Sequence, residues 1–254
     1  MRLRLHLSPK PGEAIFPKGF HYALGSTIHT LTDPRGRHAN ADPRLFSVSP
    51  PLWKTIEVEE QKIRLKGDGS IIFCSADTNQ LNQIFNHPEV NIAGNLFDLF
   101  RVELVDEPLF ESMMTWRVPL HGGIITGYTE KETKKKYEFT PVQFPNETGE
   151  CLQRNLRTKW AQLCRDFPKR AALWSAQADP LDWMQSQKFD VVVPDKNLIT
   201  ISQIHQTTVK AWRGRVTVTA PIAVQRLIWS VGLGQKAGCG FGFVEPYEPK
   251  TPGA

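Results

Sequence analysis

A glycine-rich stretch near the end of the chain carries the residues best suited to bind a phosphate group. Five glycines fall within the eleven residues Gly232–Gly242, and Lys236 stands in their middle. Glycine lets the backbone adopt positive φ and approach a ligand closely, and successive N–H groups in such a turn form a concave site for anions. The stretch therefore predicts a phosphate-binding loop with Gly234, Gln235, Lys236 and Gly238 as its candidate ligands.

Two familiar phosphate-binding motifs fit this stretch poorly. Gly232, Gly234 and Ala237 match the dinucleotide fingerprint G-x-G-x-x-G/A, but that motif opens a helix and has an acidic residue about 20 positions later. Here a helical pattern precedes the glycines, and only residues 238–254 follow them. A Walker motif needs Ser or Thr directly after its lysine, whereas Ala237 follows Lys236 here. A nucleotide-dependent enzyme is therefore disfavoured, and the plain alternative is a glycine-rich turn into a last strand.

Histidines supply the side chains that could act as acid or base. An unperturbed imidazole has a pKa of about 6.5, so it accepts and donates protons near neutral pH. His29 lies near the end of the first predicted helix, and His38 lies in the following loop, six residues before Arg44. The residues alone equally allow a non-catalytic role for each histidine. His38 would then be a solvated loop residue, and His29 would be a partly buried residue at a helix C-terminus. The remaining histidines lack a catalytic partner in the sequence: His6, His21, His87, His121 and His205.

Two groups of basic residues are candidates for contacts with a polyanion. Arg213 and Arg215 alternate along a predicted strand beside a tryptophan, where guanidinium groups can contact phosphates or stack on bases. Arg154, Arg157 and Lys159 lie on the longest predicted helix, where they could follow a charged backbone. Each group has a plain alternative, which is a solvated face of a strand or of a helix.

The overall composition agrees with a polyanionic partner. The chain has 254 residues and a formal net charge of +5, with a pI of about 9.0, as nucleic-acid-binding proteins often have. Its four cysteines form no C-x-x-C pair and no zinc spacing, so we expect reduced, mostly buried thiols in a cytoplasmic protein. No stretch approaches about 18 consecutive apolar residues, so no membrane span is expected. The cysteines are Cys74, Cys151, Cys164 and Cys239.

Hydrophobic periodicity predicts two similar halves. In the first half, residues 2–7 alternate as a strand, Leu24, Ile28 and Leu31 have helical spacing, and Asp77 is a candidate N-cap of a second helix. In the second half, helices are predicted over 148–167 and after Thr219 as N-cap. The predicted strands lie at 45–49, 55–66, 70–75, 97–106, 113–118, 123–128, 137–143, 189–193, 198–204, 207–219 and 240–245, with a turn at 67–69.

Each half then follows the order β-α-β-β-α-β, if one extended segment of the first half is an added hairpin strand. We therefore expect an α+β fold of two tandem ferredoxin-like domains, the architecture that RNA-recognition modules share. The predicted boundaries are 1–110 for the first domain, 111–247 for the second, which carries the glycine-rich loop, and 248–254 for a tail.

Three stretches together resemble one known family. They are the opening strand Met1-Arg-Leu-Arg-Leu5, the region from Ser26-Thr-Ile-His29 through His38 to Arg44-Leu-Phe-Ser-Val-Ser-Pro50, and Val231–Val244. The last pairs Gly-hydrophobic-Gly elements around a basic residue. In order and spacing these stretches resemble the CRISPR-associated endoribonucleases that cut precursor CRISPR RNA within its repeats, the sixth of the numbered Cas families, which belongs to the RAMP superfamily.

The resemblance implies an RNA cleavage that needs no metal and no other cofactor. The 2′-hydroxyl upstream of the scissile phosphate attacks it in line, and the products carry a 2′,3′-cyclic phosphate and a 5′-hydroxyl. His38 is the first candidate for acid or base, and His29 is the second. Arg44 is the candidate that stabilises the charge developing on the phosphate, because arginine stays protonated.

The alternative function is a non-catalytic RAMP subunit that holds guide RNA within a CRISPR effector complex. Such a subunit would share the fold and the glycine-rich loop but would need no pair of histidines. The expected partner is CRISPR repeat RNA, in precursor form for the enzyme. The sequence leaves open whether the chain contacts effector-complex subunits and whether it forms a homodimer.

Overall fold

A computed structural model describes residues 1–17, 19–32, 45–60, 62–129, 132–133, 136–194, 197–204, 207–237 and 240–248. Several residues singled out in the sequence lie outside these ranges, namely His38, Arg44, His205, Gly238 and Cys239. The predicted tail also lies outside them, except for Glu248.

The first half of the chain forms a seven-stranded sheet with two helices on one face. Its elements are β1 (Arg2–Pro9), β2 (Glu13–Pro17), α1 (His21–Thr32), β3 (Phe46–Val48), β4 (Leu52–Val58), β5 (Lys62–Ser75), α2 (Thr78–Ile84), β6 (Glu89–Ile92) and β7 (Asn95–Val105). The central order is β2-β5-β1-β7-β6, and β3 and β4 also pair with β5. All of these pairings are antiparallel.

Alternation in β1 explains how the helices pack on this sheet. Leu3, Leu5 and Leu7 point to one face and are buried against Leu24 and Ile28 of α1. Residues on opposite faces of a strand alternate with period two, so the residues between these leucines point to the other face of the sheet.

The second half forms a four-stranded main sheet with the order β11-β14-β8-β15 and two separate hairpins, β9–β10 and β12–β13. The elements are β8 (Met113–Arg117), β9 (Thr126–Thr129), β10 (Lys136–Phe139), α3 (Pro145–Asp166), α4 (Pro168–Ser175), α5 (Pro180–Ser186), β11 (Asp190–Val192), β12 (Leu198–Ile204), β13 (Thr207–Arg213), β14 (Arg215–Thr219), α6 (Ile222–Val231) and β15 (Glu245–Pro246). A second core, built around Trp116, Leu156 and Leu227, joins the main sheet to α3 and α6.

Both sheets place the fourth strand of a β-α-β-β-α-β unit beside the first, and the first beside the third. In the first sheet these strands are β7, β1 and β5, and in the second they are β15, β8 and β14. The prediction of two tandem ferredoxin-like domains is thereby confirmed. The segment 106–112 connects the two sheets.

Arg2 joins the two halves. Although it lies on the face of β1 opposite the leucines, it is 1% exposed. Its Nε donates to the carbonyl oxygen of Trp229 at 2.8 Å, and its Nη2 donates to that of Val244 at 2.7 Å. The guanidinium also lies 3.6 Å from the ring centroid of Trp229 and 4.6 Å from that of Phe243. Strand β1 is therefore attached directly to α6 and to the segment before β15.

The predicted turn at 67–69 is wrong, because β5 continues through it. Gly69 has no Cβ, and an added one would lie 2.0 Å from the ring of Trp53. The indole therefore covers the strand at this point, and its Nε1 donates to the carbonyl oxygen of Gly67 at 2.8 Å. Gly69 makes room for a tryptophan from β4, and Gly67 supplies the carbonyl oxygen that its indole binds, so the chain does not reverse here.

Other boundaries also differ from the predictions. The strand predicted over 207–219 divides at Gly214 into β13 and β14, which belong to different sheets. Thr219 ends β14 instead of capping α6, and Pro221 occupies the N-cap position. The closing strand is only Glu245–Pro246, because the preceding residues bond within the glycine-rich segment. Strands β2 and β6 and helices α4 and α5 were not predicted.

The predicted cap of α2 and the predicted buried thiols are confirmed. Asp77 caps α2, and its carboxylate accepts a hydrogen bond from the N–H of Asn79 at 2.9 Å. Cys74 and Cys151 are buried free thiols, and Cys164 is a partly buried one. Within the described ranges, no helix has both the length and the apolar character needed to cross a membrane.

Candidate functional site

The glycine-rich segment folds back on itself directly after α6. The N–H of Gly232 donates to Ile228 at 2.8 Å, and the N–H of Leu233 donates to Gly242 at 2.8 Å. The N–H of Gly242 in turn donates to the carbonyl oxygen of Gly123 at 2.8 Å. Positive φ makes this path possible, and it occurs at Gly232, Gly234, Lys236, Gly240 and Gly242.

These internal bonds limit the backbone groups that can bind an anion. The amide N–H groups of residues 232, 233, 235, 240 and 242 all donate to protein carbonyl oxygens. The side-chain amide of Gln235 donates to the carbonyl oxygen of Gly127. Lys236 is exposed to solvent at the bend of the segment. Among the predicted ligands in the described part of the loop, Lys236 is therefore the one that presents a charge outward.

A buried lysine of α3 contacts this segment, whereas sequence analysis left it between a contact with a charged backbone and a solvated face of the helix. Lys159 of α3 is 1% exposed, and its Nζ donates to the carbonyl oxygen of Gly232 at 3.0 Å and to that of Val231 at 3.4 Å. Burial lowers the pKa of Lys159 to about 7. Lys159 lies three residues after Leu156 and four before Leu163, so its helical spacing already placed it on the buried stripe.

His21, at the start of α1, attaches that helix to the glycine-rich segment. Its ring stacks between Phe20 and Phe241, with centroid distances of 4.4 and 4.5 Å. Its Nδ1 lies 3.0 Å from the carbonyl oxygen of Gly240. Burial lowers the pKa of His21 to about 4, although the bond to Gly240 acts to raise it. The ring is therefore neutral near pH 7, and its Nδ1–H donates to the carbonyl oxygen.

The close contact at His21 leaves no space for a side chain at position 240. A Cβ built on Gly240 would lie 2.3 Å from the carbonyl oxygen of His21. Sequence analysis did not connect these residues. The only signals were Phe20 beside the histidine and Phe241 between two glycines, and neither identifies a partner.

Helix α1 carries one predicted catalytic side chain, that of His29, at the end away from this contact. His29 lies in the last turn of α1, about 12 Å along the helix axis from His21 at 1.5 Å per residue. It is partly buried, and its ring meets Phe46 of β3 edge-on at a centroid distance of 4.8 Å. His38 and Arg44, the other two predicted catalytic residues, lie in the segment 33–44, outside the described residues.

The predicted arginine contacts have different surroundings. Arg154 is exposed on α3. Arg157 donates to the carbonyl oxygens of Met184 at 2.6 Å and Gln187 at 2.8 Å, and its guanidinium lies 4.7 Å from the ring centroid of Phe189. These contacts give Arg157 a structural role that sequence analysis did not predict, since it holds α3 to the segment around α5.

Arg213 and Arg215 lie on either side of Gly214, where the chain passes from the β12–β13 hairpin to the main sheet. Arg215 is exposed and lies 3.8 Å from the ring centroid of Tyr247. On the neighbouring strand, Arg117 pairs with Glu245 at 3.2 Å. Arg213 is partly buried at the other side of Gly214. The two predicted arginines thus border the connection between the two sheets.

Solved structures share this fold over nearly the whole chain. A Cas6-related protein from Pyrococcus furiosus is 16% identical with a TM-score of 0.76, covering 98% of this chain and 99% of that one. An RAMP protein binding different RNA substrates is 15% identical with a TM-score of 0.73, covering 98% and 100%. A Cas6 of Thermus thermophilus, in a product complex, is 16% identical with a TM-score of 0.61, covering 97% and 98%.

Sequence comparison identifies the family. A search of curated proteins finds no significant match. Residues 110–246 match the family described as CRISPR associated protein Cas6, C-terminal. This match covers more than half of the chain, including the main sheet of the second domain and the glycine-rich segment. The chain therefore belongs to the Cas6 family of CRISPR-associated proteins.

Proposed function

We propose that this protein is a metal-independent endoribonuclease that cuts precursor CRISPR RNA within its repeats. The observation that carries the proposal is the contact between α1 and the glycine-rich segment through His21 and Gly240. Helix α1 begins at this contact, carries His29 in its last turn and is followed in sequence by the segment with His38 and Arg44. The candidate catalytic residues therefore lie on the part of the chain that starts where α1 contacts the candidate RNA-binding loop. The family membership and the RNA substrates named for one structural relative support the same conclusion.

In the proposed reaction, a base removes the proton of the 2′-hydroxyl upstream of the scissile phosphate. The 2′-oxygen forms a bond to phosphorus while the bond to the 5′-oxygen breaks, and an acid protonates the leaving 5′-oxygen. The products are a 2′,3′-cyclic phosphate and a 5′-hydroxyl. His38 and His29 fill the roles of base and acid, and Arg44 stabilises the charge that builds up on the phosphate.

Substrate binding in this proposal uses positive charge on both sides of Gly214 and at the bend of the loop. Lys236, Arg213 and Arg215 contact phosphates or bases, and Arg154 extends the surface along α3. Gln235 and Gly234 shape the loop that presents Lys236, and Gly238, outside the described residues, is a further candidate ligand. Arg157 contributes by holding α3 in place.

His38→Ala is the first test of the proposal. We expect cleavage of the cognate repeat RNA to slow by at least about 100-fold, the usual contribution of general acid–base catalysis, while RNA binding persists. His87→Ala, a histidine after α2 outside the proposed site, is the matched control and should cut at the wild-type rate. Unchanged cutting by His38→Ala would remove this histidine from the mechanism. A wild-type protein that binds the RNA and never cuts it would favour the non-catalytic RAMP subunit.

A further inference from the structure

A strained turn brings His121 to the end of β13, the strand whose last residue is Arg213. His121 has φ of +65°, a left-handed conformation that is uncommon for residues other than glycine. The N–H of Val118 donates to the carbonyl oxygen of Gly214 at 3.0 Å. Ile124 and Trp212 exchange two backbone hydrogen bonds, at 2.8 and 2.9 Å. These bonds hold the turn between residues 118 and 124 against the end of β13.

The same turn is attached to the glycine-rich segment. The carbonyl oxygen of Gly123 accepts the N–H of Gly242 at 2.8 Å, and that of Ile125 accepts the N–H of Gln235 at 2.9 Å. A Cβ on Gly123 would lie 2.8 Å from the Cβ of Ala211, so the three backbone segments are in close contact. His121 therefore lies at the margin of the candidate RNA-binding loop.

The electrostatic surroundings of His121 are unfavourable to a cation. Burial and, secondly, the charge of Arg213 lower the pKa of His121. The charge of His121 in turn acts to lower the pKa of His21. Within the described ranges, neither His121 nor Arg213 forms a side-chain hydrogen bond or an ion pair, so no carboxylate compensates this pair. Backbone strain at a residue other than glycine adds a further cost.

We propose that His121 and Arg213 together bind one phosphate group of the RNA substrate. The proposal rests on the proposed function, which supplies the RNA. A phosphate between the two side chains would compensate both charges and accept hydrogen bonds from the guanidinium and from a protonated imidazole. This arrangement explains why two basic groups are held side by side at a strained turn with no acidic partner in the described part of the chain.

The proposal predicts that RNA binding is linked to proton uptake. A bound phosphate favours the charged imidazole and therefore raises the pKa of His121. RNA should bind more tightly at pH 5.5 than at pH 8, and His121 should account for part of the difference. Arg213 is the charged group that acts on the pKa of His121. His21, whose own pKa His121 acts to lower, stays neutral over this range because its pKa is about 4.

His121→Asn is the matched variant for this test, because asparagine tolerates a left-handed φ and carries no charge. The probe is a repeat RNA with a single 2′-deoxy substitution at the cut site, and its affinity is measured by fluorescence anisotropy. We expect His121→Asn to bind about three- to tenfold more weakly than wild type at pH 5.5 and similarly at pH 8. His87→Asn should retain the wild-type pH dependence. Arg213→Gln should bind more weakly at both pH values, with a salt slope reduced by about one.

A second measurement needs no variant that might misfold. NMR of histidine-labelled wild-type protein should show the pKa of the His121 ring rising when the RNA binds. An unchanged pKa, together with unchanged affinity in both variants, would overturn the proposal while leaving RNA cleavage intact. A wild-type protein that binds no repeat RNA would overturn this proposal and the proposed function together.

Discussion

Lys159 makes the stability of the fold depend on pH above neutrality. Burial lowers its pKa to about 7 in the folded state, whereas lysine in an unfolded chain has a pKa of about 10.4. Between these values the unfolded state binds more protons than the folded state. The free energy of unfolding therefore rises with pH in this window, by at most about 1.4 kcal/mol per pH unit from this residue. Below pH 7 both states hold the proton, and the dependence ends.

Lys159→Met tests this linkage, because methionine keeps an unbranched side chain without a titrating group. We expect the free energy of unfolding of this variant to rise less between pH 7 and pH 9 than that of wild type, as measured by urea denaturation. Lys62→Met, on the exposed surface of β5, is the control and should follow wild type. Parallel pH curves for wild type and Lys159→Met would contradict the assignment.

Sequence patterns place buried charges poorly. Arg2 and Arg157 lie outside the most apolar stripes of their elements, and both are nevertheless held by main-chain carbonyl oxygens from distant parts of the chain. No residue type marks such an acceptor in a sequence. Lys159 is different, since its spacing from Leu156 and Leu163 is a local signal of burial that sequence analysis did not use. The sequence shows where each histidine lies along the chain, but the partners of His21 and His121 depend on tertiary contacts.

At the scale of elements, α1 and the glycine-rich segment behave as one packed unit. Gly240 has φ of +80°, and a Cβ there would lie 2.3 Å from the carbonyl oxygen of His21. Gly94 has almost the same φ, +81°, but nothing lies within 4 Å of its Cβ position. The two glycines therefore share their backbone conformation and differ in what surrounds them.

Gly240→Ala should destabilise the protein more than Gly94→Ala. Both variants carry the strain of a left-handed alanine, about 1–2 kcal/mol, and only Gly240→Ala must also push α1 away from the loop. We expect a lower melting temperature and weaker binding of repeat RNA for Gly240→Ala, measured by thermal denaturation and anisotropy. Equal losses in the two variants would show that the contact with His21 contributes nothing beyond backbone strain.

Local signals predicted the elements whose cause is local. The leucine alternation of β1, the helical spacing in α1 and the Asp77 cap of α2 all lie within a few residues, and the structure confirms each. The predicted turn at 67–69 is wrong because Gly69 accommodates Trp53 from another strand. The single strand predicted over 207–219 is wrong because its division at Gly214 into β13 and β14 depends on which sheet each strand joins.

At the scale of the whole molecule, the duplicated order of strands and helices was visible in the sequence, because each half repeats the same sequence of periodicities. The joint between the halves was not visible. It includes Arg2, with Trp229 and Val244 as acceptors, Phe243 packed on Ile72 and Cys74, and the contact of His21 with Gly240. The residues on the two sides of this joint are far apart in the sequence, so only the folded structure brings them together.

The account depends most directly on the chemistry at the RNA 2′-hydroxyl. The decisive measurement is single-turnover cleavage in EDTA of two repeat RNAs, one unmodified and one with a single 2′-deoxy nucleotide upstream of the cut. We predict that the unmodified RNA is cut to a 2′,3′-cyclic phosphate and a 5′-hydroxyl, and that the 2′-deoxy RNA stays intact while binding equally well. Cleavage of the 2′-deoxy RNA, or cleavage only after a divalent metal is added, would contradict the account.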